Sequence, residues 1–190
     1  MVDIYSFCKK KLLWIIFIFF LGGCATVPKK IIWQDATEVA MNSFKLKTGD
    51  IIVKNKLWNE PISWGGHCGV MINNFEIGDY PKIGINFYSL PSYDWLMERG
   101  RKVVVLRYDK FNDKFKKYFE KNAIEYSKGT YLLTLNKFST NHFYCSKYVW
   151  FLYYKTGQDM GYNLNIDSDG GYMIFPYDFL NSKELHQVLI

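Results

Sequence analysis

The stretch from Asn141 to Trp150, Asn-His-Phe-Tyr-Cys-Ser-Lys-Tyr-Val-Trp, places a cysteine where a polar loop turns into an apolar helix. Residues Lys137 to Asn141 have loop composition, while Val149, Leu152 and Tyr153 recur at helical spacing and Gly157 supplies a stop. Cys145 then falls in the first turn, where unpaired backbone N–H groups and the positive end of the helix dipole favour thiolate over thiol. The same N–H groups can receive a developing oxyanion. A lone cysteine is more often a small buried hydrophobe, so a nucleophile reading requires a basic partner.

His67 offers that partner. His67-Cys68-Gly69-Val70-Met71-Ile72 reads as a strand, Asn73-Asn74 as its turn, and Phe75 to Tyr80 as the return. Period-2 alternation puts His67, Gly69 and Met71 on one face and Cys68, Val70 and Ile72 on the other, so Cys68 points away from the side His67 uses. Glycine two residues from His67 leaves room for another element or a substrate. If the turn spends Ile72 to Asn74, Met71 faces Phe75 and Asp79 stands opposite His67. A strict Asn73-Asn74 loop instead puts Tyr80 opposite His67 and Glu76 opposite Met71, where Glu76 lies about 13 Å along the strand. Asp79 is preferred to Glu76 as the orienting carboxylate, although Gly78-Asp79 before Tyr80-Pro81 also has turn composition.

The first 23 residues belong to a different kind of segment. Lys9-Lys10-Lys11 precede an unbroken apolar run from Leu12 to Leu21, closed by Gly22-Gly23-Cys24. Ten helical residues cross only about half a bilayer core, which predicts a signal peptide over 1–23 and not a membrane span. Leu21-Gly22-Gly23-Cys24 resembles a bacterial lipobox, which implies cleavage before Cys24 and lipid on that residue, with Ala25 sorting the product to an outer membrane where there is one. An uncleaved anchor is the alternative. Cys8 leaves with the peptide and Cys24 is consumed by lipid, so Cys68 and Cys145 remain; an oxidising envelope could pair them, but both are read as thiols.

The remaining 24–190 divide into a tether with a short amphipathic segment over 24–47 and one domain over 48–190. With 49% hydrophobic and 19% aromatic residues, the chain as a whole has ample material for a core. Formal charge is +6, and +4 once the first 23 residues are set aside, from 21 basic against 17 acidic side chains. Such a mild, dispersed excess does not point to nucleic acid; weak attraction to an anionic envelope surface is the most it supports.

Thr48-Gly49-Asp50 is a turn into the strand Ile51-Ile52-Val53, and the loop from Asn55 to Gly66 carries Trp58, Pro61 and Trp64. Leu90 to Met97 predicts a short helix with Pro91 near its first turn, Val103 to Tyr108 a strand buried for most of its length, and Phe111 to Lys128 a helix with one solvated basic face. Residues 161–171 are a polar excursion. A cation loop from Asn163, Asn165, Asp167 and Asp169 lacks the EF-hand glycine and terminal glutamate at that spacing and reads as solvated loop. Val188 to Ile190 closes the chain as a strand.

Taken in order, Gly49-Asp50-Ile51-Ile52, His67-x-Gly69-Val70, Leu90 with Trp95-Leu96, Val105 to Arg107, Tyr144-Cys145-Ser146 and Pro176 with Asp178 resemble the circularly permuted papain-like amidases of the YaeF/YiiX type, relatives of the NlpC-type cell-wall peptidases. The histidine precedes the cysteine, as that group requires. The resemblance implies an α+β fold with an antiparallel sheet packed against helices, including the nucleophile helix. It implies Cys145 as nucleophile, His67 as base and then acid, Asp79 as the carboxylate that orients the imidazole, and Tyr144 or the Cys145 N–H as oxyanion donor. No cofactor is implied. Lys147 stands where the group commonly has an acidic residue, and Leu132 where it has an aspartate.

Three functions compete. A lipid-anchored envelope cysteine hydrolase would cleave an amide, for example in peptidoglycan stem peptides, through a thioester. An acyl-lipid hydrolase or acyltransferase would use the same three residues. A non-catalytic envelope protein could instead hold metal through His142, Cys145, His67 and Cys68.

Overall fold

The computed structural model describes residues 30–57 and 64–190. The expected signal peptide over 1–23, Cys24 and the loop residues Trp58 and Pro61 lie outside them. The body is a sheet of seven antiparallel strands with helices on both faces.

Strand β1 (Gln34–Asp35) leads directly into helix α1 (Ala36–Met41), which Asp35 caps by accepting from the N–H groups of Thr37 and Glu38. Strands β2 (Ile51–Lys54), β3 (His67–Met71), β4 (Glu76–Asp79) and β5 (Tyr88–Pro91) follow as neighbours in the sheet. Helix α2 (Ser92–Leu96) starts at once after Pro91, whose missing N–H costs nothing at a helix start. Strand β6 (Lys102–Tyr108) lies against the other side of β2. On its free edge β6 takes β1 at one end and β9 (Leu185–Val188) at the other, so the closing strand falls a few residues earlier than Val188–Ile190. Helix α3 (Asp113–Tyr126), capped by Asn112, and helix α4 (Cys145–Asp159) cover one face. Between them, β7 (Thr130–Tyr131) and β8 (His142–Phe143) form a small parallel ladder that delivers the chain to Cys145.

Alternation along the strands divides the core. Ile51, Val53, Cys68, Val70, Val104 and Leu106 face α3 and α4, whose Phe115, Phe119, Tyr148, Trp150 and Tyr153 are buried against them. Ile52, Met71, Ile77, Val103 and Val105 face α1 and α2, with Trp95 and Leu96. Each such large side chain contributes about 1.5–3 kcal/mol of transfer free energy, which outweighs any local preference of the short elements. Asp50 is fully buried where β2 begins, and Arg107 on β6 grips both its oxygens at 2.7 Å. This explains Gly49-Asp50 and Arg107 as a structural fastening. Gly49 has φ +88°, and a side chain there would run into the Phe111 ring.

Helix α4 does not stop at Gly157 but runs on to Asp159. At Gly157 a Cβ would come within 2.7 Å of the Leu164 side chain, so this glycine admits the returning chain. Gly161, with φ +85°, makes the turn that ends the helix.

Candidate active site

Cys145 is the first residue of α4 and is partly exposed, with Tyr144 as N-cap in an extended conformation. No side chain caps this helix, and the geometry of a first turn leaves its N–H groups without intrahelical partners. His67, first residue of β3, lies with Nε2 2.7 Å from Asp79 Oδ2, and the imidazole and the Cys145 sulfur act on each other's protonation. With Nε2 engaged by the carboxylate, Nδ1 is the nitrogen left for the sulfur. Cys145, His67 and Asp79, about 80 residues apart at the extremes, thus stand in one line.

The hairpin that brings Asp79 there differs from both sequence registers. Val70 pairs with Gly78 and Met71 with Ile77, while Ile72 N–H donates to Glu76 O. The loop is therefore Asn73-Asn74-Phe75, set by Asn73, whose Oδ1 accepts from the N–H groups of Phe75 and Glu76 at 2.8 and 2.9 Å. Continuing that register puts Asp79 opposite Gly69, one diagonal step from His67 on the same face and within an imidazole's reach. Glu76 remains at the hairpin, bonded to Asn73 Nδ2 and Ser89 Oγ.

Two residues that sequence reasoning left without a role complete the carboxylate's environment. Trp95 Nε1 donates to Asp79 Oδ2 at 3.1 Å and Tyr88 Oη at 3.3 Å, and the Trp95 ring stacks on His67 at 5.8 Å. The space beside Gly69 is what admits Trp95: a Cβ there would lie 3.0 Å from the indole. Asp79 is 1% exposed, and its Oδ1 has no hydrogen-bond partner among the described residues.

Cys68 corrects the sequence reading more sharply. Its side chain does face α4, as alternation requires, but α4 carries Cys145, and the two thiols act on each other's protonation. His67, at the strand's end, reaches the same sulfur from beside it. Cys68 is the largest influence drawing Cys145 well below an ordinary thiol; it opposes desolvation and is joined by the charge of His67. Burial and the Cys145 charge push Cys68 well above its ordinary value, so it stays a donor. Burial works against the His67 imidazolium, but Asp79 and Cys145 overcome it and push the imidazole up to about 10. Both cysteines are free.

Tyr144 is buried, and its hydroxyl accepts from the Ile174 N–H at 3.0 Å. Ser146 Oγ donates to Ile174 O at 2.8 Å, so the segment around Ile174 is fastened to the start of α4. Lys147 is fully buried, and its ammonium binds the carbonyls of Ser139 and His142, which stitches the incoming loop to the helix. His142 turns to Thr130, with Nδ1 2.9 Å from Oγ1. The excursion at 161–171 is not solvated throughout: Leu164, Ile166 and Asp167 are buried.

An antiparallel sheet presenting a histidine to a cysteine at the head of a helix defines an α+β protein of the permuted papain-like, YiiX-type fold. The crystal structure of metalloprotein YiiX from Escherichia coli O157:H7 is similar, with TM-score 0.54 and 16% identity over 75% of this chain and 96% of that one. The chain belongs to the family of LnsA-like lipoprotein N-acylation proteins, whose model matches residues 9–184. Family and fold together make it an enzyme of the acyl-transfer or hydrolase kind. Comparison with curated proteins gives no match.

Proposed function

We propose that this chain is a lipid-anchored envelope acyltransferase that carries an acyl group as a thioester on Cys145. The observation that supports it best is the convergence of Cys145, His67 and Asp79 at an uncapped helix start. The Cys145 thiolate attacks the acyl carbonyl, and first-turn N–H groups receive the oxyanion. His67 gives its Nδ1 proton to the departing alkoxide or amine, then takes a proton from the incoming nucleophile, and the thiolate is released. Asp79 holds the ring in place.

The acyl source is lipid. Leu132, Leu133, Leu135 and Phe138 are all exposed on the loop that continues from Tyr131, whose hydroxyl lies in the field of Cys145 and Asp79. Four exposed apolar side chains in seven residues suit a hydrocarbon chain or bilayer surface better than a polar stem peptide. The family's description as lipoprotein N-acylation proteins supports the same class of chemistry. Water in place of an amine would make the same intermediate a hydrolase, the amidase reading. Lipid at Cys24 would hold the domain at the membrane where both substrates are found.

Incubating the full chain with phospholipid vesicles and measuring intact mass tests this reading. An acyl-sized mass increase on wild type, absent in Cys145→Ala and discharged by an amine, is expected. Cleavage of wall fragments with no acyl adduct from any vesicle would sink it in favour of the amidase.

A further inference from the structure

We propose that Asn165, Asp167, Asp169, the Gly171 carbonyl and Asp178 form a binding site for a divalent cation of the calcium class, with the Lys137 ammonium standing in that position in its absence. Carboxylate oxygens of Asp167, Asp169 and Asp178 lie within 4.8 Å of one another. Oxygens on opposite sides of a calcium ion stand about 5 Å apart, twice the usual Ca–O distance.

Asp178 is 0% exposed. One of its oxygens accepts from the Phe175 N–H at 2.6 Å, and the other, Oδ1, has no partner among the described residues. A buried carboxylate oxygen without a donor is strongly unfavourable unless a cation serves it. Lys137 Nζ binds Asp167 Oδ2 at 3.1 Å and Gly171 O at 2.8 Å. Among the described residues that ammonium's hydrogen bonds reach Asp167 and Gly171, while Asp178 Oδ1 accepts none.

The sequence frames the same site two residues later than the Asn163 register. Counting from Asn165 places oxygen donors at the first, third and fifth positions of a calcium loop, Gly170 at the sixth with φ +71°, and a backbone carbonyl, that of Gly171, at the seventh. The twelfth position is Pro176, and Asp178, two residues on in the 3-10 helix Pro176–Asn181, replaces the usual glutamate. Lys137 touches the third- and seventh-position ligands, as an ion would. The donor set is all oxygen and mixes carbonyls with carboxylates, which favours calcium over transition metals and over the stricter octahedron of magnesium. Because Ile174 lies between the loop and Asp178 and bonds both Tyr144 and Ser146, the ion would also tie down the head of the Cys145 helix.

Terbium alone serves as the probe, since Trp150 Nε1 donates to Asn165 Oδ1 at 2.8 Å and can sensitise its emission. Detergent-solubilised full chain, stripped with chelator, is titrated with terbium, then with calcium as competitor, and calcium binding is read independently by calorimetry. Expected are one site per chain, emission quenched by calcium, affinity at least tenfold weaker in Asp167→Asn and Asp178→Asn, and affinity severalfold tighter in Lys137→Met. Lys137→Met keeps every ligand, so it decides the matter even if an Asp178 variant does not fold. Absence of emission and of heat with millimolar calcium in both wild type and Lys137→Met overturns the proposal and makes Lys137 the permanent counter-ion. Binding that is indifferent to both aspartate variants overturns it equally.

Discussion

Asp79 Oδ2 accepts His67 Nε2 and Trp95 Nε1 together, at 2.7 and 3.1 Å, so a single carboxylate oxygen orients the imidazole and anchors the ring stacked on it. The histidine is fixed both in its plane and across it. Only its outer nitrogen is left for chemistry.

Reactivity of Cys145 should extend well below the ordinary thiol range. Alkylation by iodoacetamide, followed against pH, should stay near its plateau through neutrality and change again near pH 10, where His67 loses its proton. Cys68→Ala should move the lower limb upward and Cys68→Ser, which keeps a donor, should restore part of the shift. Identical profiles for wild type, Cys68→Ala and His67→Ala would remove the ion pair from the argument.

Asp79→Asn keeps size but removes charge. Loss of that charge lowers the His67 pKa, so the upper limb near 10 should fall toward the ordinary histidine value. Acyl-transfer turnover should drop by about tenfold or more, because the amide competes for the wrong tautomer. A turnover and upper limb both unchanged from wild type would mean that Asp79 does not orient the reacting histidine.

At Gly69 an added methyl would sit 2.6 Å from Ile77 Cγ2 and 3.0 Å from Trp95 Cζ2. Gly69→Ala should therefore destabilise the fold by about 1–3 kcal/mol in denaturant and displace Trp95 from Asp79. A shift in tryptophan emission should accompany the loss of Cys145 reactivity. Full stability and reactivity would show that the sheet yields at this point.

Lys147 gives a signature in stability against pH. Burial lowers it to about 8 from 10.5, so between those values the folded chain binds fewer protons than the unfolded one. Stability of wild type relative to Lys147→Met should accordingly rise as pH climbs through 8 to 10.5, and be lower by a constant amount below it. A flat difference curve in pH-resolved denaturation would show that Lys147 is not desolvated.

Much of this protein could be read from residue order. The polar-to-apolar transition at Cys145, the strand opening on His67 and the short helix after Pro91 are local patterns, because periodicity and capping act over a few residues. That His67 and Asp79 share a face also followed from alternation, although Asn73 shifted the loop by one residue and turned direct opposition into a diagonal contact. Gly157 shows the limit of local reading, since the same residue that ends helices elsewhere here makes space for Leu164.

What the chain order alone determined, then, was the elements and their reactive side chains. Which of those side chains meet was decided by the packing of α4 across β3, which brought buried Cys68 to Cys145, and by Gly69, which admitted Trp95 to Asp79. Contacts of that kind depend on how layers stack and on where a missing Cβ leaves room, and neither is encoded within the span of any one element.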